Sequence, residues 1–168
     1  MALPQAVNLD GFDRRILEIV QVANRTTTED IAEQVGLSPA AVQRRLKRMR
    51  EQQVILADVS VVNPKAVGRD MTFLVQVSLE RERADLIDTF KEGMRNNPAV
   101  QQCYYVTGNS DFILVVTAAD MNDYERFTRT AFFENSNVRS FQTNVVMSSV
   151  KVSLCLPVGG GTADADSV

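Results

Sequence analysis

Five cations stand within seven residues: Arg44, Arg45, Lys47, Arg48 and Arg50. The same stretch carries Val42, Leu46 and Met49 at helical spacing. On one helix these make an apolar stripe opposite a cationic face, an arrangement suited to lying along nucleic acid. A charge run alone also describes a solvated helical hairpin, so the neighbouring turn has to decide. A second stretch with chemical capacity is Thr107-Gly108-Asn109-Ser110-Asp111. Gly108 permits close backbone approach, and Asp111 can take an ammonium group. A plain hairpin turn with an exposed aspartate has the same composition. Asp111, Asp120 and Asp123 also cluster in sequence, and the last two sit where helix caps belong.

The elements that hold the cations are legible from their ends. Ser38 is a good N-cap, and Pro39 suits the first helical turn, where its missing N–H costs nothing. Residues 27–35 predict a shorter helix before it, with Thr27 as N-cap, Asp30 in a capping-box-like place, and Ile31, Ala32 and Val35 inward. Gly36 ends that helix, because glycine adopts a left-handed turn most cheaply. Ala32, Gly36, Leu37 and Val42 therefore fall at helix-turn-helix spacing, and the second helix of such a unit enters the major groove. Gln43 and Arg44 lie early on that helix to meet base edges. Arg45, Lys47 and Arg48, with Arg25 at the preceding turn and Ser38 at the cap, complete the expected DNA-binding set. Residues 9–23 predict a first helix with Phe12, Ile16, Ile19, Val20 and Ala23 inward, and with Asp10 and Asp13 in the first turn, where the helix dipole favours anions.

The 168 residues allow one medium or two small domains, and 45% apolar content supports a packed core. Net charge is −3, yet the eight cations up to Val62 include the five on the reading helix. A locally basic head thus precedes a mildly acidic body. Residues 54–62 are β-branched and read as a short hairpin or linking strand. Asn63-Pro64 to Gly68 is a turn and a boundary. Beyond it the pattern is β-α-β-β-α-β: strands at 71–79, 100–106, 111–117 and 138–152, and helices at 83–96 and from Asp120 onward. That order is the ferredoxin-like split motif. The fold class is therefore α+β. Residues 1–53 form a helix-turn-helix, winged-helix-like domain, 54–69 a linker, 70–156 a ferredoxin-like domain for sensing and oligomerisation, and 157–168 a disordered tail.

Histidine is absent, which removes cysteine–histidine and serine–histidine nucleophiles and histidine-based metal sites. Cys103 and Cys155 are far apart and without a motif, so each reads as a small buried hydrophobe. No catalytic residue, metal site or cofactor is expected, and no enzyme. The chain shows no signal peptide and no apolar run long enough to cross a membrane. With no disulfide framework, the expected home is a reducing cytoplasm.

The chain resembles the Lrp/AsnC, or feast/famine, transcriptional regulators of bacteria and archaea, from Leu9 to Leu156. The resemblance is carried by Leu9-Asp10 with Asp13-Arg14 and Ile16-Leu17, by Val35-Gly36-Leu37-Ser38-Pro39, and by Arg44-Arg45. It continues through Asn63-Pro64 with Gly68, Val106-Thr107-Gly108 with Asp111-Phe112, Asp120-Met121 with Tyr124, and Thr143 with Val145-Val146-Met147 and Val150-Lys151. It implies a DNA-binding regulator of the nucleoid that partners double-stranded DNA. It also implies a homodimer built through the sheets, assembling into tetramers or octamers. It further implies an amino-acid effector between subunits at Thr107, Gly108, Asn109, Ser110 and Asp111, with Thr143 or Ser148 completing the pocket from the same or a neighbouring subunit. An architectural DNA-binding protein without effector is the alternative, and a decarboxylase-like enzyme of related fold a more distant one. The sequence departs from the family pattern at Gln53, where glycine is usual, and at Asn109 and Ser110 in the effector turn.

Overall fold

The computed structural model describes residues 7–159. The chain divides into two units, residues 7–60 with 151–159, and Val61–Val150.

The first unit holds three helices, α1 (Gly11–Val22), α2 (Thr28–Val35) and α3 (Pro39–Glu51). Each begins on the expected cap. The Asp10 carboxylate accepts from the Asp13 N–H in a reciprocal capping box, Thr27 accepts from Asp30, and Ser38 accepts from Ala41. Gly36 closes α2 in the left-handed conformation at φ 73°. Ile16, Leu17, Ile31, Ala32, Val35, Val42, Leu46 and Met49 form the core. After α3 the Val54 N–H reaches the Met49 carbonyl and the Gln53 N–H that of Arg50, a Schellman closure. This forces Gln53 to φ 57°, the position where the family pattern has glycine.

The second unit carries one four-stranded antiparallel sheet: β1 (Met71–Leu79), β2 (Val100–Tyr105), β3 (Phe112–Ala118) and β4 (Val138–Val145), in the order β2-β3-β1-β4. Helices α4 (Ala84–Asn96) and α5 (Met121–Thr128) cover one face. Ile87, Phe90, Met94, Tyr124 and Phe127 from the helices meet Phe73, Val75, Val77, Phe112, Leu114 and Val116 from the strands. Asp120 caps α5 by accepting from Asp123, as its position predicts. A π-helical turn (Arg129–Phe133) extends α5. This is the α+β arrangement expected from the order of elements.

Several boundaries differ from the sequence reading. Residues 54–62 form no strand, because β-branched residues favour extended backbone but a strand needs a partner. The final strand stops at Val145 rather than Val152. The Val146 N–H makes a last bond to Thr72, and β1 begins just before it at Met71, so the ladder ends. Residues 151–159 group with the first unit, not with the sheet. The Gln21 side chain accepts from Leu156 N–H and donates to its carbonyl, and Arg14 donates to the Val158 carbonyl. Val158 is half-buried against the first core, so the expected free tail begins later, and its remainder lies outside the described residues.

Candidate nucleic-acid interface and effector turn

The reading helix has three sides. Val42, Leu46 and Met49 are buried. One turn round, Arg45 and Arg48 share an edge, since they are three residues apart. Gln43, Arg44 and Lys47 occupy the remaining, exposed side. An open groove of about 460 Å³ runs beside it, lined by Asn24, Thr26, Thr28, Gln43 and Lys47 among others. Arg44, and Arg25 in the turn before α2, are exposed and pair with no acid among the described residues. Lys47 lies 3.8 Å from Glu51, both well exposed, a contact too weak to hold it. Ser38 is exposed but already accepts the Ala41 N–H at 3.3 Å.

The expected DNA contacts of Arg45 and Arg48 need correction. Arg45 Nη1 lies 2.8 Å from both Asp10 Oδ2 and Asp13 Oδ1, and Arg48 Nη2 lies 2.5 Å from Asp13 Oδ2. Asp13 is 1% exposed, so a charge on it requires these partners. Neighbouring backbone N–H groups, the Asp13 one first, and then Arg45 hold the Asp10 carboxyl below its usual range, while Asp10 and Asp13 raise the Arg45 guanidinium. Arg45 also sits 5.4 Å from the Phe12 ring centroid. Arg50 is bidentate to Asp58. The two first-turn acids, which the sequence places only on the helix dipole, are thus also the partners of recognition-helix cations. The signal available was their pairing with two arginines three apart.

The turn between β2 and β3 is closed by the Val106 N–H on the Asp111 carbonyl at 2.9 Å, with Gly108 at φ 127°. Thr107, Gly108 and Asn109 are exposed, and Ser110 is half-buried. Asp111 is partly committed. Its N–H donates to the Val77 carbonyl, and its Oδ2 accepts the Leu79 N–H at 2.7 Å, which ties the turn to the end of β1.

Thr143 and Ser148 are not brought to this turn within the chain. Thr143 sits on β4, two strands from β3, on the helix-covered face, and its hydroxyl meets the Tyr124 hydroxyl at 2.6 Å. Ser148 follows β4 at the end of the sheet where β1 starts, whereas the turn lies where β1 finishes. Sequence spacing cannot place residues on opposite edges of a sheet.

The sequence missed Arg69, which joins the Asp123 carboxylate and the Thr117 carbonyl. The Ala119 N–H and then Arg69 and Arg126 hold the Asp123 carboxyl below its usual range. Cys103 is half-buried and Cys155 exposed, and both are free thiols; burial pushes the Cys103 thiol up. No group of three or more potential metal ligands occurs among the described residues, and no described helix is long and apolar enough to cross a membrane.

Two family profiles match the sequence: the AsnC-type helix-turn-helix domain over residues 9–50 and the Lrp/AsnC ligand binding domain over residues 72–154. The chain is 56% identical to an uncharacterized HTH-type transcriptional regulator of Sinorhizobium fredii, across 91% of this chain and 90% of that one. It is 30% identical to the transcriptional regulator AzlB of Bacillus subtilis, across 90% and 97% respectively. Among solved structures it is similar to a transcriptional regulator of Neisseria meningitidis in complex with L-Met, with a TM-score of 0.85 and 28% identity over 90% of this chain and 98% of that one. Both units are matched in order and nearly end to end. The chain belongs to the Lrp/AsnC family of helix-turn-helix transcriptional regulators.

Proposed function

We propose that this regulator reads duplex DNA with the exposed side of α3 and responds to an amino acid at the turn of residues 107–111. The observation that carries the first half is the pair Arg44 and Lys47, exposed beside Gln43 on the second helix of a helix-turn-helix. Arg44 and Gln43 meet base edges, and Lys47 and Arg25 meet phosphates. Replacing Arg44 and Lys47 with alanine should weaken binding and flatten the slope of log K against log salt by up to about 1.8, at about 0.9 per lost phosphate contact. An unchanged slope and affinity in a folded variant would sink this half.

The effector half rests on the exposed amides around Gly108, on Asn109, and on the Asp111 Oδ1, which accepts no hydrogen bond among the described residues. The amides suit an α-carboxylate and Asp111 an α-ammonium group. The similar Neisseria protein was solved with L-Met, which supports an amino acid as the class. Ligand at a hundred times its Kd should stabilise the fold by about 2.7 kcal/mol, so melting curves with each of the twenty amino acids test it. Asp111→Asn is the informative variant, because its amide oxygen can still accept from Leu79 while the charge is gone. If no amino acid moves the melting point, the protein is a DNA binder without this effector.

The reading includes a homodimer. Leu74, Tyr104, Ile113 and Val115 lie on the sheet face that α4 and α5 leave open. An open apolar sheet face favours burial against a second copy, which spaces two reading helices for a pseudo-palindromic site. Light scattering giving a monomer at micromolar concentration would contradict it.

A further inference from the structure

We propose that Asp13 is the positioning residue of the reading head: it withdraws Arg45 and Arg48 from DNA and uses them to fix the rotation of α3 about its own axis. This rests on the DNA-binding reading above. Asp13 is buried in the first turn of α1, and each of its oxygens accepts from a different arginine of α3. Its own position is set by the capping box, in which Asp13 Oδ2 also accepts the Asp10 N–H at 3.2 Å.

The core under α3 is aliphatic, and hydrophobic contact is non-directional. Val42, Leu46 and Met49 keep the helix on the core but distinguish poorly between small rotations. Two charge-assisted hydrogen bonds to one immobile carboxylate do distinguish them. Arg45 and Arg48 bracket one edge of α3, so both bonds form at one rotation only, the one that points Gln43, Arg44 and Lys47 outward. The bracket leaves Arg48 Nε buried without a partner, which marks the site as held against a local cost. With Arg50 held by Asp58, two of the five cations stay free to approach DNA, Arg44 and Lys47. The clustered charge therefore serves discrimination between sequences more than raw attraction.

The test uses full-length protein and two duplexes, one selected from a random pool by the wild-type protein and one of random sequence. Asp13→Asn keeps the shape and removes the charge. Its affinity for the random duplex should hold or rise, and its salt slope should steepen by up to about 1.8 as two arginines are released. Its discrimination between the duplexes should fall at least tenfold. Arg45→Gln with Arg48→Gln should lose the same discrimination with an unchanged salt slope on the random duplex. A loss of packing alone would lower affinity for both duplexes together. Discrimination retained in folded Asp13→Asn, or a slope flattened by about 1.8 in the double variant, overturns the proposal. If circular dichroism finds Asp13→Asn unfolded, Arg48→Gln alone carries the same readings, since Asp13 keeps Arg45. There, retained discrimination or a slope flattened by about 0.9 overturns it. If the wild type binds neither duplex in a salt-dependent way, the DNA-binding reading itself has failed.

Discussion

The sheet unit packs Phe73, Phe90, Phe112, Tyr124, Phe127 and Phe132 into one core, with Phe73 stacked on Tyr124 at 3.8 Å between ring centroids. The helical unit has no buried aromatic; its core is Ile16, Leu17, Ile31, Ala32, Val35, Val42, Leu46 and Met49, with a buried carboxylate at its margin. Interlocking rings have shape and preferred angles, so they specify one arrangement by packing. Short aliphatic side chains fill space without specifying it as tightly, and the helical unit adds direction through Asp13, Arg45 and Arg48. The unit that must present a helix at a fixed angle thus relies on ionic geometry, while the unit that carries the sheet relies on apolar fit.

The sharpest contrast comes from deleting a ring. Phe73 is fully buried, so Phe73→Ala should destabilise the sheet unit by about 4 kcal/mol. Amide exchange should quicken across β1, β3 and β4 and stay slow in α1 to α3; equal loss in both units would break the comparison.

Next in size is the ionic side. Replacing Arg45 and Arg48 with alanine strands the Asp13 charge and should cost the helical unit about 3 kcal/mol. Adding Asp13→Asn to that pair should recover much of the loss, measured by urea midpoints. No recovery would mean that the arginine stems, not the charge, carried the stability.

A smaller effect of opposite sign is expected at Gln53. Its φ of 57° is unfavourable for any residue with a Cβ. Gln53→Gly should raise stability by roughly 0.5–1 kcal/mol, after allowing for the extra freedom of glycine in the unfolded chain. A lower melting temperature would show that the Gln53 side chain contributes more than its backbone strain costs.

The smallest effect is in acid. The Asp123 carboxyl is held below its usual range by the Ala119 N–H, Arg69 and Arg126. Its contribution is complete above about pH 4 and is lost as the pH falls through the depressed value. The stability gap between wild type and Asp123→Asn should therefore be constant at neutral pH and close below about pH 4, in urea titrations across that range. A gap that persists at low pH would assign the difference to packing.

What the sequence determined by itself is local. Asp10, Thr27, Ser38 and Asp120 cap helices by accepting a backbone N–H three residues on, and Gly36 turns the chain by its own φ. Such bonds need only the residues beside them, so their spacing is readable, as are the apolar periods that divide helices from strands. The family-level departure at Gln53 was readable too, although the strain there appeared only with the backbone angle. What the tertiary structure alone decided is which charges are free and which residues meet. Arg45 and Arg48 find Asp13 across 32 and 35 residues, Asp111 finds the Leu79 N–H across 32, and Thr143 turns to Tyr124 instead of the turn of residues 107–111. A long side chain reaches whatever helix crossing and strand order bring near it, and those are set by the packing of whole faces, which no single stretch of sequence contains.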